Sequence, residues 1–281
     1  MKLKHVFATN LRARVDRLVA RLLPLSLLCA TAVAGAQATA PSQSELADIT
    51  ARGRALAEYD FASWHGTDAV FSLKPSAGSI TRYIARPTEK GWRVAFGRLT
   101  AARDTFLVAY EAIRTSQGGQ FDGFTPVAHA TPIADTGYYA RAARALDIAT
   151  KDFGPVQRSY NTAALPRSDG KWWVYLLPAQ TVSGVFPLGA DARYLVSADG
   201  RTILERRRLH NSVIEFRAPA PPQAGAKMEA GTHTAVVADI PEDTDVLHVL
   251  VRTPRIPEYV MTDHYVYRID PDGRINFLGT H

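Results

Sequence analysis

The chain has almost no cysteine. Cys29 is the only one in 281 residues. It lies in a segment that reads as removable, so the mature protein is expected to be cysteine-free and to use neither disulfides nor a thiol nucleophile. Its stability must then come from an ordinary core. Also missing are a G-x-S-x-G elbow, an H-E-x-x-H pair, a phosphate-binding G-x-x-x-x-G-K and a G-x-G-x-x-G fingerprint. These absences disfavour the readily recognised hydrolases and nucleotide enzymes. A third lack is excess charge. The full chain carries 33 Lys and Arg against 27 Asp and Glu, but residues 1–36 hold six of the bases and one of the acids, leaving 27 against 26. With a balance near +1, nucleic acid is not an expected partner.

The removable segment is residues 1–36. Lys2, Lys4, Arg12, Arg14, Arg17 and Arg21 precede an apolar run from Leu22 to about Ala36. That run is shorter than the roughly 20 residues needed to span a bilayer, and it ends in the small residues Ala34-Gly35-Ala36. This is the layout of a secretory signal peptide. It predicts cleavage after Ala36, with Ala38 second, a periplasmic or secreted product, and no transmembrane anchor after cleavage. Ser26-Leu27-Leu28 before Cys29 is not a lipoprotein signal.

Residues 37–43 form a polar lead-in. An N-terminal unit over 44–115 then opens with an amphipathic helix carrying Leu46, Ile49, Leu56 and Tyr59, with Ser44 as N-cap and Gly53 as a weak point. Strand signals follow at 68–73, 80–86, 92–99 and 105–115, joined by short turns as in an antiparallel meander. Residues 116–132, rich in Gly and Pro, read as a loop and a subdomain boundary. The remainder, 133–281, reads as a second helix over 136–152 and a C-terminal antiparallel sheet, possibly continuous with 44–115. In it, Trp172 to Leu177 is apolar on both alternating faces, as expected of a strand covered on both sides. Residues 217–231 read as a surface connector. "HTAVVADI", "DVLHVLVR" and "EYVMTDHYVYRID" read as three strands, followed by the turn "PDGR" and a last strand. The fold class is α+β, predominantly antiparallel sheet with about two helices.

Several motif matches fail on context. Ser168 to Lys171 fits S-x-x-K, but Asp-Gly there marks a hairpin turn. Asp270 to Arg274 resembles the start of a calcium loop and lacks the later ligands. "HTAVVADIPEDTD" resembles an H-x-H-x10-D zinc pattern without its second histidine, and His233 lies too far along its strand to join other candidates. Arg206, Arg207 and Arg208 should alternate faces on a strand, and Trp172 and Trp173 read as core. "WWVYLLPAQT", "FPLGADARYLVSADGRTIL" and "DTDVLHVLVRTPRIPEYV" resemble segments of uncharacterised secreted proteins of proteobacteria, a resemblance that implies export and no particular activity.

The candidate site comes from strand pairing. A five-residue loop from Thr253 to Pro257 would place His248 and His264 as diagonal neighbours on a polar face, with Asp239 as the other diagonal neighbour of His248. These three are the candidate catalytic or metal-binding residues, zinc being the possible ion. The leading expectation is a binding or cell-envelope accessory role without catalysis, toward an envelope protein or a small ligand. The alternative is a metal-dependent or acid/base hydrolase whose site is assembled from dispersed His and carboxylates.

Overall fold

The computed structural model describes residues 40–217 and 228–280. The signal segment and most of the connector therefore lie outside the described residues. No described helix is long and apolar enough to cross a membrane.

Helix α1 (Gln43–Phe71) is capped by Ser42, not Ser44: the Ser42 side chain accepts the Glu45 N–H at 3.1 Å. It takes in residues 68–71 of the stretch 68–73 expected to be a strand, because Ala62, Gly66, Ala69 and Val70 continue the buried helical face. Helical burial overrides the β-branched and aromatic character of "AVF". Against this helix lies a four-stranded antiparallel sheet of β1 (Arg82–Thr88), β2 (Gly91–Leu99), β3 (Phe106–Arg114) and β4 (Phe124–Asp135), in that order. The first three strands match the expected meander. The fourth corrects the loop expected at 116–132, of which only 116–123 is irregular or turn. After a 3-10 turn at Gln120–Gly123, the chain joins the same sheet as its edge strand. Pro126 and Pro132 are compatible with an edge, where a missing N–H costs little.

Helix α2 (Tyr138–Phe153) buries Tyr139, Ala140, Ala142, Ala143, Leu146 and Ala149. Its small residues let it lie close to a second antiparallel sheet, ordered β5 (Tyr160–Pro166), β6 (Trp172–Pro178), β8 (Ala192–Val196) and β9 (Ile203–Arg208). Strand β6 is covered on both faces, as its sequence implies. Trp172, Val174 and Leu176 join the α2 core, while Tyr175 and Leu177 join the α1 core. Two short strands missed in the sequence, β7 (Val185–Gly189) and β10 (Val213–Arg217), pair as a ribbon.

The C-terminal region departs most from expectation. β11 (Gly231–Thr234) is followed by helix α3 (Asp243–Val251), where a strand was expected. Next come β12 (Glu258–Met261), β13 (Tyr265–Ile269) and β14 (Ile275–Thr280), in the order β11-β12-β13-β14. "EYVMTDHYVYRID" is thus a hairpin, not one strand. Because α3 acts as a crossover, β11 and β12 pair in parallel, with His233 beside Val260. Three helices and fourteen strands among the described residues make an α+β fold dominated by antiparallel sheet.

Candidate metal centre

The helix at Asp243–Val251 removes the strand register on which the sequence-derived site depended. His264 and Asp239 do meet at the exposed surface: His264 Nδ1, in the turn between β12 and β13, lies 2.8 Å from Asp239 Oδ2, in the segment before α3. His248 is elsewhere, buried on α3 with its ring edge toward Phe216. No hydrogen bond or ion pair among the described residues links it to His264 or Asp239. Burial first, and the Arg252 charge second, push its pKa down to about 4, so it is neutral, and its Nδ1 has no partner.

The side chains that converge are His210, His233 and Asp245, all buried, with one ligand-type atom from each within 4.8 Å of the others. His210 follows the end of β9, His233 sits on β11, and Asp245 is in the first turn of α3. His210 Nε2 and His233 Nε2 each lie 3.1 Å from the same Asp245 oxygen, Oδ1. Neither contact has hydrogen-bond alignment, so both nitrogens and Oδ1 are buried without a properly directed partner. The rings lie close to the carboxylate but aim past it.

Each outer nitrogen, by contrast, is held firmly. His210 Nδ1 donates to Asp191 Oδ1 at 2.9 Å, and His233 Nδ1 donates to Glu258 Oε1 at 2.8 Å. An ionised carboxylate only accepts, so the Nδ1 atoms carry protons and the Nε2 atoms turn inward. Glu258 is fixed in turn by Arg252 Nη1 at 2.5 Å, and Arg252 also donates to the Ile256 carbonyl at 2.8 Å. Asp245 is set by the helix itself: its Oδ2 accepts the Glu242 N–H at 2.8 Å in a capping box, which leaves Oδ1 to face the histidines.

Charge explains why this arrangement is tolerable in the interior. Three carboxylates, Asp191, Asp245 and Glu258, contact the two histidines, and one fixed cation, Arg252, pairs with Glu258. With neutral imidazoles the group is short of two positive charges, so either two protons or one dication balances it. Without a metal the protons win. Burial works against the charged forms, but Asp245 and the outer carboxylates outweigh it, raising His210 to about 11 and His233 to about 9. Despite its own burial, Asp245 is held far below the usual carboxylate range by the two histidines.

A second buried layer adjoins the first. Asp243, fully buried, accepts from Arg52 Nε at 2.9 Å, from the Tyr175 hydroxyl at 2.8 Å, and from Arg193. The Arg193 guanidinium also lies 4.7 Å from the Trp173 ring centroid, so Trp173 supports this charged layer. The arginine run alternates as expected, Arg206 pairing with Asp152 and Arg207 with Glu242.

The strand register expected from the sequence puts His233 out of reach, and no motif marks His210, Asp191 or Glu258. The faint zinc pattern in "HTAVVADIPEDTD" did contain two true neighbours, His233 and Asp245; the other histidine comes from the preceding sheet. No protein-family model, curated protein or solved structure matches this chain.

Proposed function

We propose that this is an exported protein that holds one divalent ion at His210, His233 and Asp245 and acts by binding rather than by catalysis. The observation that carries the reading is the convergence of two inward-turned imidazole nitrogens and one carboxylate oxygen, with each imidazole backed by its own carboxylate. Carboxylate–histidine–metal relays have this build. Around a tetrahedral zinc with bonds near 2.0–2.1 Å, neighbouring ligand atoms stand about 3.3 Å apart; the two Nε2–Oδ1 separations here are 3.1 Å, and the two imidazole nitrogens lie within 4.8 Å of each other. Mixed nitrogen and oxygen donors suit zinc better than calcium or magnesium, which prefer oxygen. A cysteine-free exported chain would have to build such a site from imidazole and carboxylate. The three side chains are at most 10% exposed, which favours an ion that organises the fold over one that meets substrate. The signal segment supports export, and the partner would be an envelope protein or a small ligand.

The test is metal analysis and zinc titration of mature protein recovered from a periplasmic fraction, with Co(II) absorption as a geometric readout. The expected result is one zinc per chain, a tetrahedral Co(II) spectrum, and at least a hundredfold weaker binding in His210→Ala and His233→Ala. A flat titration of folded wild type would mean that protons alone balance the cluster, and the metal reading would fall. Sequencing of the same sample should find Gln37 or Thr39 at the N-terminus; an intact Met1 would overturn export.

A further inference from the structure

A cleft of about 380 Å³ opens where the N-terminal sheet meets the start of α2, remote in sequence from the histidine cluster. Its walls combine the apolar side chains of Val108, Ile133 and Tyr139 with the charged Arg86, Arg93, Glu111 and Asp135. The strands explain the opening. Val108 pairs with Ile133 and Tyr110 with Ala128, so β4 carries residues 129–132 as a wide bulge on one side of the cleft. Bulges of this kind re-aim side chains beside binding sites.

Two arginines and two carboxylates balance formally in the cleft, but they are not all paired with one another. Arg86 and Arg93 stand directly opposite one another on β1 and β2, a like-charge pairing that costs stability unless anions compensate it. Arg93 has its compensation in Glu111, 3.3 Å away, and the other Glu111 oxygen lies 3.1 Å from His129 Nε2. Asp135 is occupied as well, accepting the Ala140 N–H at 3.1 Å at the start of α2. Among the described residues, Arg86 has neither an ion-pair nor a hydrogen-bond acceptor for its side chain. Its guanidinium is stacked 4.7 Å from the Tyr138 ring centroid. Stacking orients the flat group while leaving its N–H edge free to form a two-pronged bond with a carboxylate.

From an arginine fork without an acceptor beside apolar walls, we propose that this cleft binds a small monocarboxylate with an apolar body. The carboxylate sits on the Arg86 fork and the body lies against Val108, Ile133 and Tyr139. A polyanion would meet Glu111 and Asp135, and a cation would meet the two arginines. A single negative charge held on the Arg86 fork, with the rest of the molecule apolar, keeps the repulsion from Glu111 and Asp135 smallest.

Calorimetric titration of the full mature protein with 4-phenylbutyrate, with the neutral 4-phenyl-1-butanol and with inorganic phosphate separates the possibilities. The expected result is saturable binding of the acid below about 1 mM, at least tenfold weaker binding of the alcohol, and no competition from 10 mM phosphate. In Arg86→Gln the acid should fall to the level of the alcohol while the melting temperature is preserved. Ile133→Ser should weaken acid and alcohol alike. No binding of the acid by folded wild type, equal affinity for acid and alcohol, or full affinity in Arg86→Gln would each overturn the proposal. Displacement of the acid by phosphate would overturn it in favour of a simple anion site.

Discussion

Gly53 on α1 touches Val246 on α3 so closely that a methyl group at position 53 would lie 2.4 Å from Val246 Cβ and 2.7 Å from the Asp243 carbonyl oxygen. In the sequence this glycine looks like a flaw in a helix. In the fold it is what lets the two helices meet. Gly53→Ala should therefore destabilise the protein by about 1–3 kcal/mol through overpacking, against the gain of roughly 1 kcal/mol that alanine brings to an unobstructed helix. Urea unfolding measures the sign; a stabilised variant would show that the contact relaxes freely. Because Val246 adjoins Asp245, zinc affinity should fall along with stability.

The carboxylates behind the imidazoles should matter nearly as much as the ligands. Asp191→Asn and Glu258→Gln are each expected to weaken zinc binding by about 10- to 100-fold, as loss of such outer partners typically does. Asp239→Asn and His264→Ala form the internal control. That pair is exposed at the surface, where ion pairs contribute about 0–1 kcal/mol. Neither change should alter zinc titration.

Asp243 tests the adjoining charged layer. Replacing it with Asn removes the carboxylate shared by Arg52, Arg193 and Tyr175, at an expected cost of about 3–5 kcal/mol. Tyr175→Phe removes one hydroxyl and should cost about 1–2 kcal/mol. Comparable losses for the two variants would show that the layer is not organised around Asp243.

A pH signature is expected at Asp60 on α1, distant in sequence from the histidine cluster. Burial alone raises its pKa from 3.8 to about 6. The folded protein thus holds this proton more tightly than the unfolded chain does, so stability falls as pH rises from about 4 to about 6 and levels off above that. Asp60→Asn removes the penalty. Its melting temperature should exceed that of wild type at pH 7.5, by the equivalent of about 1–3 kcal/mol, and the two should converge at pH 4. A difference independent of pH would refute this assignment.

Much of the architecture was legible because period and burial agree. Leu46, Ile49, Leu56 and Tyr59 mark one helical face, and the doubly apolar run from Trp172 to Leu177 does lie between two layers. The failures occur where they disagree. Residues 246 to 251 are apolar almost without interruption, so neither a two-residue nor a 3.6-residue period stands out, and β-branched valines favoured the strand. The acidic start, Glu242, Asp243 and Asp245 after Pro241, was the available helix signal, since carboxylates belong at the first turn. Reading that helix as a strand placed His248 beside His264 and excluded His233. The true cluster depends on the parallel pairing of β11 with β12 and on the docking of β9's end against α3. No local pattern at His210 or Asp191 encodes those contacts.

The placement of His210, His233 and Asp245 on three separate elements bears on when such a centre can exist during folding. Its three side chains come from the end of one sheet, the first strand of another, and the helix that crosses over that second sheet. Bringing them together requires the end of β9, the strand β11 and the helix α3 to dock, which can happen only after those elements have formed. An ion bound there cannot nucleate the fold; it can enter only once the surrounding elements are in place. Its kinetic effect should therefore fall on escape from the native state, slowing unfolding while leaving the folding rate nearly unchanged.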